Sequence, residues 1–185
     1  MPIIDHRRHA MRGKPGQHLS QAGIDLARRA GNGEFGSVPR YDLVITSTIR
    51  RAFETAIAMG FAVTAQVEGL TAFDSAVLTQ YRWPVDFGDA ATPLLGDGPA
   101  GDFARQQADI LRVIAKSLPE TGAALVISHG GVVEAGAVAL RPDADHQAWG
   151  PAIGYVEGVR LVFDGEDCVG EELLRVGPDD YCVIN

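Results

Sequence analysis

Residues 123–131 read AALVISHGG, and this stretch decides how the rest of the chain is interpreted. Its first five residues are all apolar, which is typical of a strand buried on both faces of a parallel sheet, and we predict a strand over residues 123–128. Ser128, His129 and two glycines follow directly. Because open α/β sheets bind ligands beyond the carboxyl ends of their central strands, we expect His129 and Gly130 to lie at a ligand site.

Strand and helix patterns alternate along the rest of the chain. Further strands are predicted over residues 3–6, 42–46, 61–67, 156–163 and 172–176, and helices over 20–30, 49–59, 102–118 and 132–140. The alternation predicts an α/β fold: one three-layer domain over residues 1–185, with a mainly parallel sheet flanked by helices. The last two strands can form an antiparallel edge around Asp164 and Gly165. The opening strand is short and polar for a central position.

Residues 71–101 interrupt this pattern. They carry several prolines and glycines, together with Tyr81, Arg82 and Trp83. Long irregular segments of compact domains are more often functional than accidental, so we expect this segment to cover a substrate. A mobile surface loop is the alternative interpretation.

The composition excludes several classes of function. A net charge of -8 and a pI of about 5.0 argue against nucleic acids and anionic membranes, since both require a basic face. Two cysteines, Cys168 and Cys182, make no disulfide framework in a chain of this length and favour a reducing compartment. The N-terminal residues lack the apolar core of a secretory signal, and no run approaches a membrane span. We therefore expect a cytoplasmic protein, whose oligomeric state the sequence leaves open.

Two more strand ends carry groups that suit phosphate. Arg8 and His9 follow the opening strand, and Arg51 follows the strand 42–46 at the start of a helix. Arginine side chains and helix N-termini both favour phosphate. A single histidine or arginine at such a place is more often structural, but the convergence of three strand ends predicts a phosphate site.

Four segments, in this order, resemble the histidine phosphatase superfamily, which has the phosphoglycerate-mutase-like fold. Residues 8–10 (RHA) resemble its Arg-His-Gly signature, 19–23 (LSQAG) the segment that opens its first helix, 47–56 (STIRRAFETA) its Ser-x-Leu-x-Arg-Ala segment, and 126–132 (VISHGGV) its second histidine motif. The resemblance covers the chain to about residue 140. It implies that His9 is the nucleophile that becomes phosphohistidine, that Arg8 and Arg51 bind phosphate, and that His129 is the second pocket histidine.

The activity implied by this resemblance is that of a metal-independent phosphatase, without a cofactor, that hydrolyses a small phosphomonoester. A histidine attacks phosphorus only through an unprotonated nitrogen, and neighbouring positive charges disfavour the imidazolium form. The arginines would also stabilise the charge of the phosphoryl transition state. The alternatives are a phosphomutase of the same family and a non-catalytic relative that binds a phosphorylated ligand or a partner.

The chain departs from the family pattern in three places. Ala10 replaces the glycine after the nucleophile, which would cost about 1 kcal/mol if that position needs a positive φ. Met11, Arg12 and Pro15 occupy the positions where the family usually has acidic residues and an asparagine, and Arg12 is a candidate for a replacement phosphate contact. Where the family often has Leu-x-Glu, residues 70–74 read LTAFD, so the general acid lies between Asp74 and Glu68. We choose Asp74, because it begins the segment that is expected to cover the site.

Two competing motifs carry less weight. Residues 31–36 (GNGEFG) match a dinucleotide fingerprint, but they follow a helical pattern, whereas the fingerprint must link a strand to a helix. A metal site could use histidines, but no pair has zinc-motif spacing, and Arg8 and Arg51 would repel a cation.

Overall fold

The central feature of the structure, a computed structural model that describes residues 1–184, is one mixed six-stranded sheet. Its strand order is β3-β2-β4-β1-β5-β6, in which the first four strands are parallel and the last two antiparallel. The strands are β1 (Ile3–Arg8), β2 (Leu43–Thr46), β3 (Ala65–Gln66), β4 (Ala123–Ser128), β5 (Gly158–Asp164) and β6 (Asp167–Leu174). The predicted α/β class and antiparallel edge are confirmed.

Helices cover both faces of this sheet. They are α1 (Gln21–Gly31), α2 (Arg50–Ala58), α3 (Ser75–Gln80), α4 (Phe87–Leu95), α5 (Pro99–Ser117) and α6 (Val132–Leu140). Helix α6 has the predicted bounds, and α5 begins at Pro99 instead of residue 102. Within residues 1–184, none of the helices combines the length and the apolar character needed to cross a membrane.

Strand β4 shows how the three layers are held together. Its residues Ala124 and Val126 belong to the core formed with α4, α5 and α6. The alternate residues Leu125 and Ile127 belong to a second core with α1 and α2. All four side chains are fully buried, which explains the uninterrupted apolar run from which this strand was predicted.

Strand β1 lies at the centre of the sheet, between β4 and β5, although its sequence is polar. Asp5 is fully buried and forms a bidentate ion pair with Arg160 of β5, with N–O distances of 2.7 and 2.9 Å. His6 is within 2.6 Å of the Ser128 hydroxyl of β4, and Arg7 donates to the carbonyl oxygen of Val156. The polar side chains of β1 therefore have buried partners from distant parts of the chain.

The segment 71–101, which was predicted to be irregular, contains α3, α4 and the start of α5. Helix α3 is too short to show a helical repeat, and α4 carries Pro93 within it. For these two reasons, the hydrophobic periodicity of the sequence did not indicate the two helices. Phe87 and Leu94 of α4 are buried in the core, so most of this segment packs as part of the domain.

Replacing Arg160 with alanine should lower the free energy of unfolding by about 3 kcal/mol, because the buried Asp5 carboxylate would lose its cation. Urea denaturation measures this change. The matched control is Arg112→Ala, whose exposed pair with Asp109 should contribute less than about 1 kcal/mol. Equal losses in the two variants would contradict a special contribution from the buried pair.

Candidate active site

A pocket of about 290 Å³ lies beyond the carboxyl ends of β1 and β4. Arg8 is the last residue of β1, and His129 directly follows β4. Arg51 reaches the same pocket from the first turn of α2, and His9 extends the pairing of β1 by donating its backbone N–H to the Ser128 carbonyl. The structure thus brings together the four residues to which the resemblance gave main roles.

The ring of His9 is almost fully buried and is held in one tautomer. Its Nδ1 lies 2.7 Å from the carbonyl oxygen of Ala10, and because a carbonyl only accepts, Nδ1 carries the hydrogen. Nε2 accepts a hydrogen bond from Nε of Arg51 at 2.9 Å. The Nε2 lone pair therefore belongs to the nitrogen that can attack a phosphorus atom.

His129 is held in the opposite tautomer by the same arginine. Its Nδ1 lies 3.2 Å from Nη2 of Arg51, which can only donate, and its Nε2 lies 2.8 Å from the Ser47 hydroxyl. Nε2 thus carries the hydrogen and donates it to Ser47. The two imidazole rings meet edge to face, with centroids 5.1 Å apart.

Both histidines are neutral near pH 7. Burial holds the pKa of His9 well below its ordinary range, and the neighbouring His129, Arg8 and Arg51 lower this pKa further. Burial, with Arg51 and Arg8 nearby, lowers the pKa of His129 to about 3. An unprotonated His9 is the form that nucleophilic attack requires.

Arg8 is a fixed cation in one wall of the pocket. Its guanidinium group lies between the rings of Trp83 and Tyr155, at 4.7 and 4.0 Å from their centroids. Its Nη atoms donate to the carbonyl oxygens of Ile153 and Val183. Its Nε is buried and has no hydrogen-bond partner among residues 1–184. A phosphate oxygen in the pocket would supply that missing acceptor.

Glu134 is a buried carboxylate that sequence reasoning did not identify. It is fully buried and accepts hydrogen bonds from Trp83 Nε1, Gly131 N and Ile153 N at 2.7–3.0 Å. Burial raises its pKa, whereas these three donors stabilise the anion. Its place three residues after the helix-capping Gly131 is a capping-box position, and this was the available sequence signal.

The lining of the pocket contains two basic residues besides Arg8 and Arg51. Arg12 and Lys14 line it together with Arg8 and Arg51. Arg12 donates to the carbonyl oxygen of Gly16, at 3.0 Å. Gly130 also lines the pocket, and a Cβ atom there would collide with the ring of Trp83, so this position needs a glycine for close packing.

Ala10 needs no glycine-like backbone. Val156 is the one non-glycine residue between 1 and 184 that has a positive φ. The backbone N–H of Ala10 donates to the hydroxyl of Thr55, and its methyl group is buried in the core beside α1 and α2. The cost of about 1 kcal/mol that a positive φ would impose therefore does not apply to Ala10.

The structure does not bring the two candidates for the general acid to the pocket. Asp74 is exposed, and its carboxylate caps α3 by accepting from the backbone N–H groups of Ala76 and Val77. Glu68 is also exposed and accepts from the hydroxyl of Thr48. Neither carboxylate lines the pocket.

The same fold occurs in solved structures that match the chain over most of its length. This similarity confirms the fold that the resemblance of the four sequence motifs implies.

Three of these structures show the extent of the similarity. YhfR of Bacillus stearothermophilus has a TM-score of 0.65 at 18% identity, over 91% of this chain and 94% of its own. The mycobacterial glucosyl-3-phosphoglycerate phosphatase has a TM-score of 0.61 at 20% identity, over 92% and 96%. The phosphoserine phosphatase of Entamoeba histolytica, solved with 3-phosphoglyceric acid, has a TM-score of 0.63 at 15% identity, over 95% and 96%. No family model matches the chain, and no curated protein has a similar sequence.

The folded protein should lose stability as the pH falls below about 6.5. Burial lowers the pKa of His6, His9 and His129, so the unfolded chain binds protons at these residues before the folded chain does. Each histidine then contributes a loss of up to about 1.4 kcal/mol per pH unit. Urea denaturation at about pH 7.5 and about pH 5.5 should differ by up to about 4 kcal/mol.

Two histidine variants test the origin of this pH dependence. His6→Gln removes one buried titrating ring outside the pocket and should make the dependence shallower. His18→Gln removes a ring whose side chain is 66% exposed and should leave the dependence unchanged. A stability that does not change between the two pH values would show that the buried rings are not the source.

Proposed function

We propose that this protein is a histidine phosphatase that transfers the phosphoryl group of a small phosphorylated substrate to Nε2 of His9. The observation that carries this proposal is the tautomer of His9. Its Nδ1–H is fixed on the Ala10 carbonyl, and its Nε2 lone pair lies in a pocket lined by arginines. Such an arrangement suits nucleophilic attack on an anionic phosphate.

The arginines have two roles in the proposed reaction. Before the substrate binds, Arg51 donates to Nε2 of His9 and keeps the ring in place. When a phosphate enters, the same guanidinium group moves its hydrogen bond to a phosphate oxygen and frees the lone pair. The buried Nε–H of Arg8 gives a second donor, and both charges stabilise the transition state.

The second step returns His9 to its starting state. Water attacks phosphorus, the P–N bond breaks, and its electron pair returns to Nε2. The leaving group in this step is the neutral imidazole already described, with its hydrogen on Nδ1, so His9 itself needs no proton. The released phosphate carries the hydrogens of the water molecule.

Several similar structures are named as phosphatases of small substrates. They include the glucosyl-3-phosphoglycerate phosphatase and the phosphoserine phosphatase, and the former was also solved with VO3. These names support a phosphatase over a phosphomutase and over a protein that only binds phosphate. The free thiols of Cys168 and Cys182 support the cytoplasm as the location.

His9→Ala should lower the turnover of p-nitrophenyl phosphate by at least about 1,000-fold, because the nucleophile is lost. Quenching the wild-type reaction in alkali should trap an acid-labile phosphoenzyme that the variant does not form. His18→Ala, which removes an exposed histidine, is the matched control and should retain activity. Turnover that survives in His9→Ala would refute the proposal, and phosphate binding without turnover in the wild type would indicate a binding protein.

Catalysis should also proceed without a metal ion, because the arginines already supply the positive charge that an ion would bring. Activity should therefore survive prolonged chelation with EDTA. Vanadate, which mimics a five-coordinate phosphorus bonded to the histidine, should inhibit well below about 1 mM. Activity that disappears on chelation and returns with zinc or magnesium would show that a metal is needed.

A further inference from the structure

The three carboxyl groups considered as candidates for the site are already engaged elsewhere. Glu134 is fully buried, and three backbone and indole N–H groups donate to its oxygens. Asp74 caps a helix, and Glu68 accepts from Thr48. Among the residues 1–184, no aspartate or glutamate lines the pocket. A carboxylic acid is therefore not positioned to protonate a leaving group.

His129 does not replace the missing acid. Its Nδ1 accepts from Arg51, so its hydrogen lies on Nε2, where it is donated to the hydroxyl of Ser47. The ring is neutral, and the same arginine opposes its protonation. Among the described side chains that line the pocket, Tyr155 carries the one hydroxyl group. The variant Tyr155→Phe tests whether this hydroxyl acts as the acid.

The pocket instead offers a cation to the group that leaves phosphorus. Arg8 and Arg51 lie beside His9, and Lys14 also lines the pocket. A lysine side chain stabilises an oxyanion as it forms, without a proton transfer. Lys14 is therefore suited to an anion that departs from phosphorus.

We propose that the substrate is an acyl phosphate or a phosphoanhydride, whose leaving group departs as a weakly basic anion stabilised by Lys14. This inference rests on the proposed function, and it names the substrate class for the same site. An alkyl phosphate would have to release an alkoxide, and general acid catalysis of that step typically contributes about 10² to 10⁴-fold.

The reaction balances without an acid. Nε2 of His9 forms a bond to phosphorus, and the bond from phosphorus to the bridging oxygen breaks. Its electron pair stays on that oxygen, which leaves as a carboxylate or as a phosphate anion. Water then hydrolyses the phosphohistidine as described above. The net reaction consumes one water molecule and releases the second anion and a phosphate that carries both hydrogens of the water, which then equilibrate with the solvent.

The test compares phosphoenzyme formation by the full chain from four phosphate compounds: acetyl phosphate, pyrophosphate, glycerol 3-phosphate and p-nitrophenyl phosphate. We expect kcat/KM for glycerol 3-phosphate to be at least about 100-fold below that for acetyl phosphate or pyrophosphate. The better of these two identifies the leaving group as a carboxylate or a phosphate. A value for glycerol 3-phosphate within about tenfold of both would overturn the inference.

Two variants separate a missing acid from the intrinsic reactivity of the substrates. We expect neither Tyr155→Phe nor Asp74→Asn to change the ratio of rates for glycerol 3-phosphate and p-nitrophenyl phosphate in phosphoenzyme formation. Asparagine can still cap α3, so Asp74→Asn should fold normally. A selective loss of about 100-fold with glycerol 3-phosphate in either variant would identify the altered residue as an acid and refute the inference.

A third variant tests the cation that receives the leaving group. Lys14→Met should raise KM for pyrophosphate by about tenfold, the effect of one charge-assisted hydrogen bond, and should change KM for p-nitrophenyl phosphate much less. Lys116→Met is the matched control, since Lys116 pairs with Glu166 and does not line the pocket. An equal change with both substrates would remove Lys14 from the proposed role. If His9-dependent turnover of p-nitrophenyl phosphate is absent, the proposed function itself fails.

Discussion

The two hydrogen bonds from Arg51 to the histidines determine where each imidazole keeps its proton, and the chemistry of the site depends on this. A guanidinium group can only donate, so the ring nitrogens that face it are acceptors. For His9, that acceptor is the nitrogen available for attack. For His129, the same contact turns the ring hydrogen towards Ser47 and away from the pocket. In the proposed reaction, one arginine thus prepares His9 for attack and removes His129 as a proton donor.

The fold could be predicted wherever burial is matched by an apolar sequence. Strand β4 and helix α6 have the predicted bounds, because their side chains are buried among apolar neighbours. Strand β1 is equally buried but polar. Its buried Asp5 is paired with Arg160, which lies far along the chain. Local periodicity cannot detect such a partner. The same limit applies to α4, whose internal proline is tolerated because the helix packs on the core.

The motif residues of the site could also be predicted, since each follows a strand that periodicity or resemblance identifies. The side chains around them could not. Trp83, Tyr155 and Val183 come from three separate regions, and each contacts Arg8. The position of Asp74, in contrast, has a simple local explanation, because an aspartate directly before a helix is a standard N-cap. The segment was not recognised as helical, so this simpler role for its carboxylate was missed.

The buried charges explain how an acidic chain can hold an anion. The net charge of the protein is -8, yet four cations line one pocket. Glu134 lies close enough to affect Arg8 electrostatically, but its oxygens are bound to Trp83 and to two backbone N–H groups and not to the guanidinium group. It therefore offsets the cost of burying Arg8, while the Nε–H of that arginine has no hydrogen-bond partner among residues 1–184. In the proposed reaction this donor binds a phosphate oxygen, and the substrate brings the negative charge that completes the site.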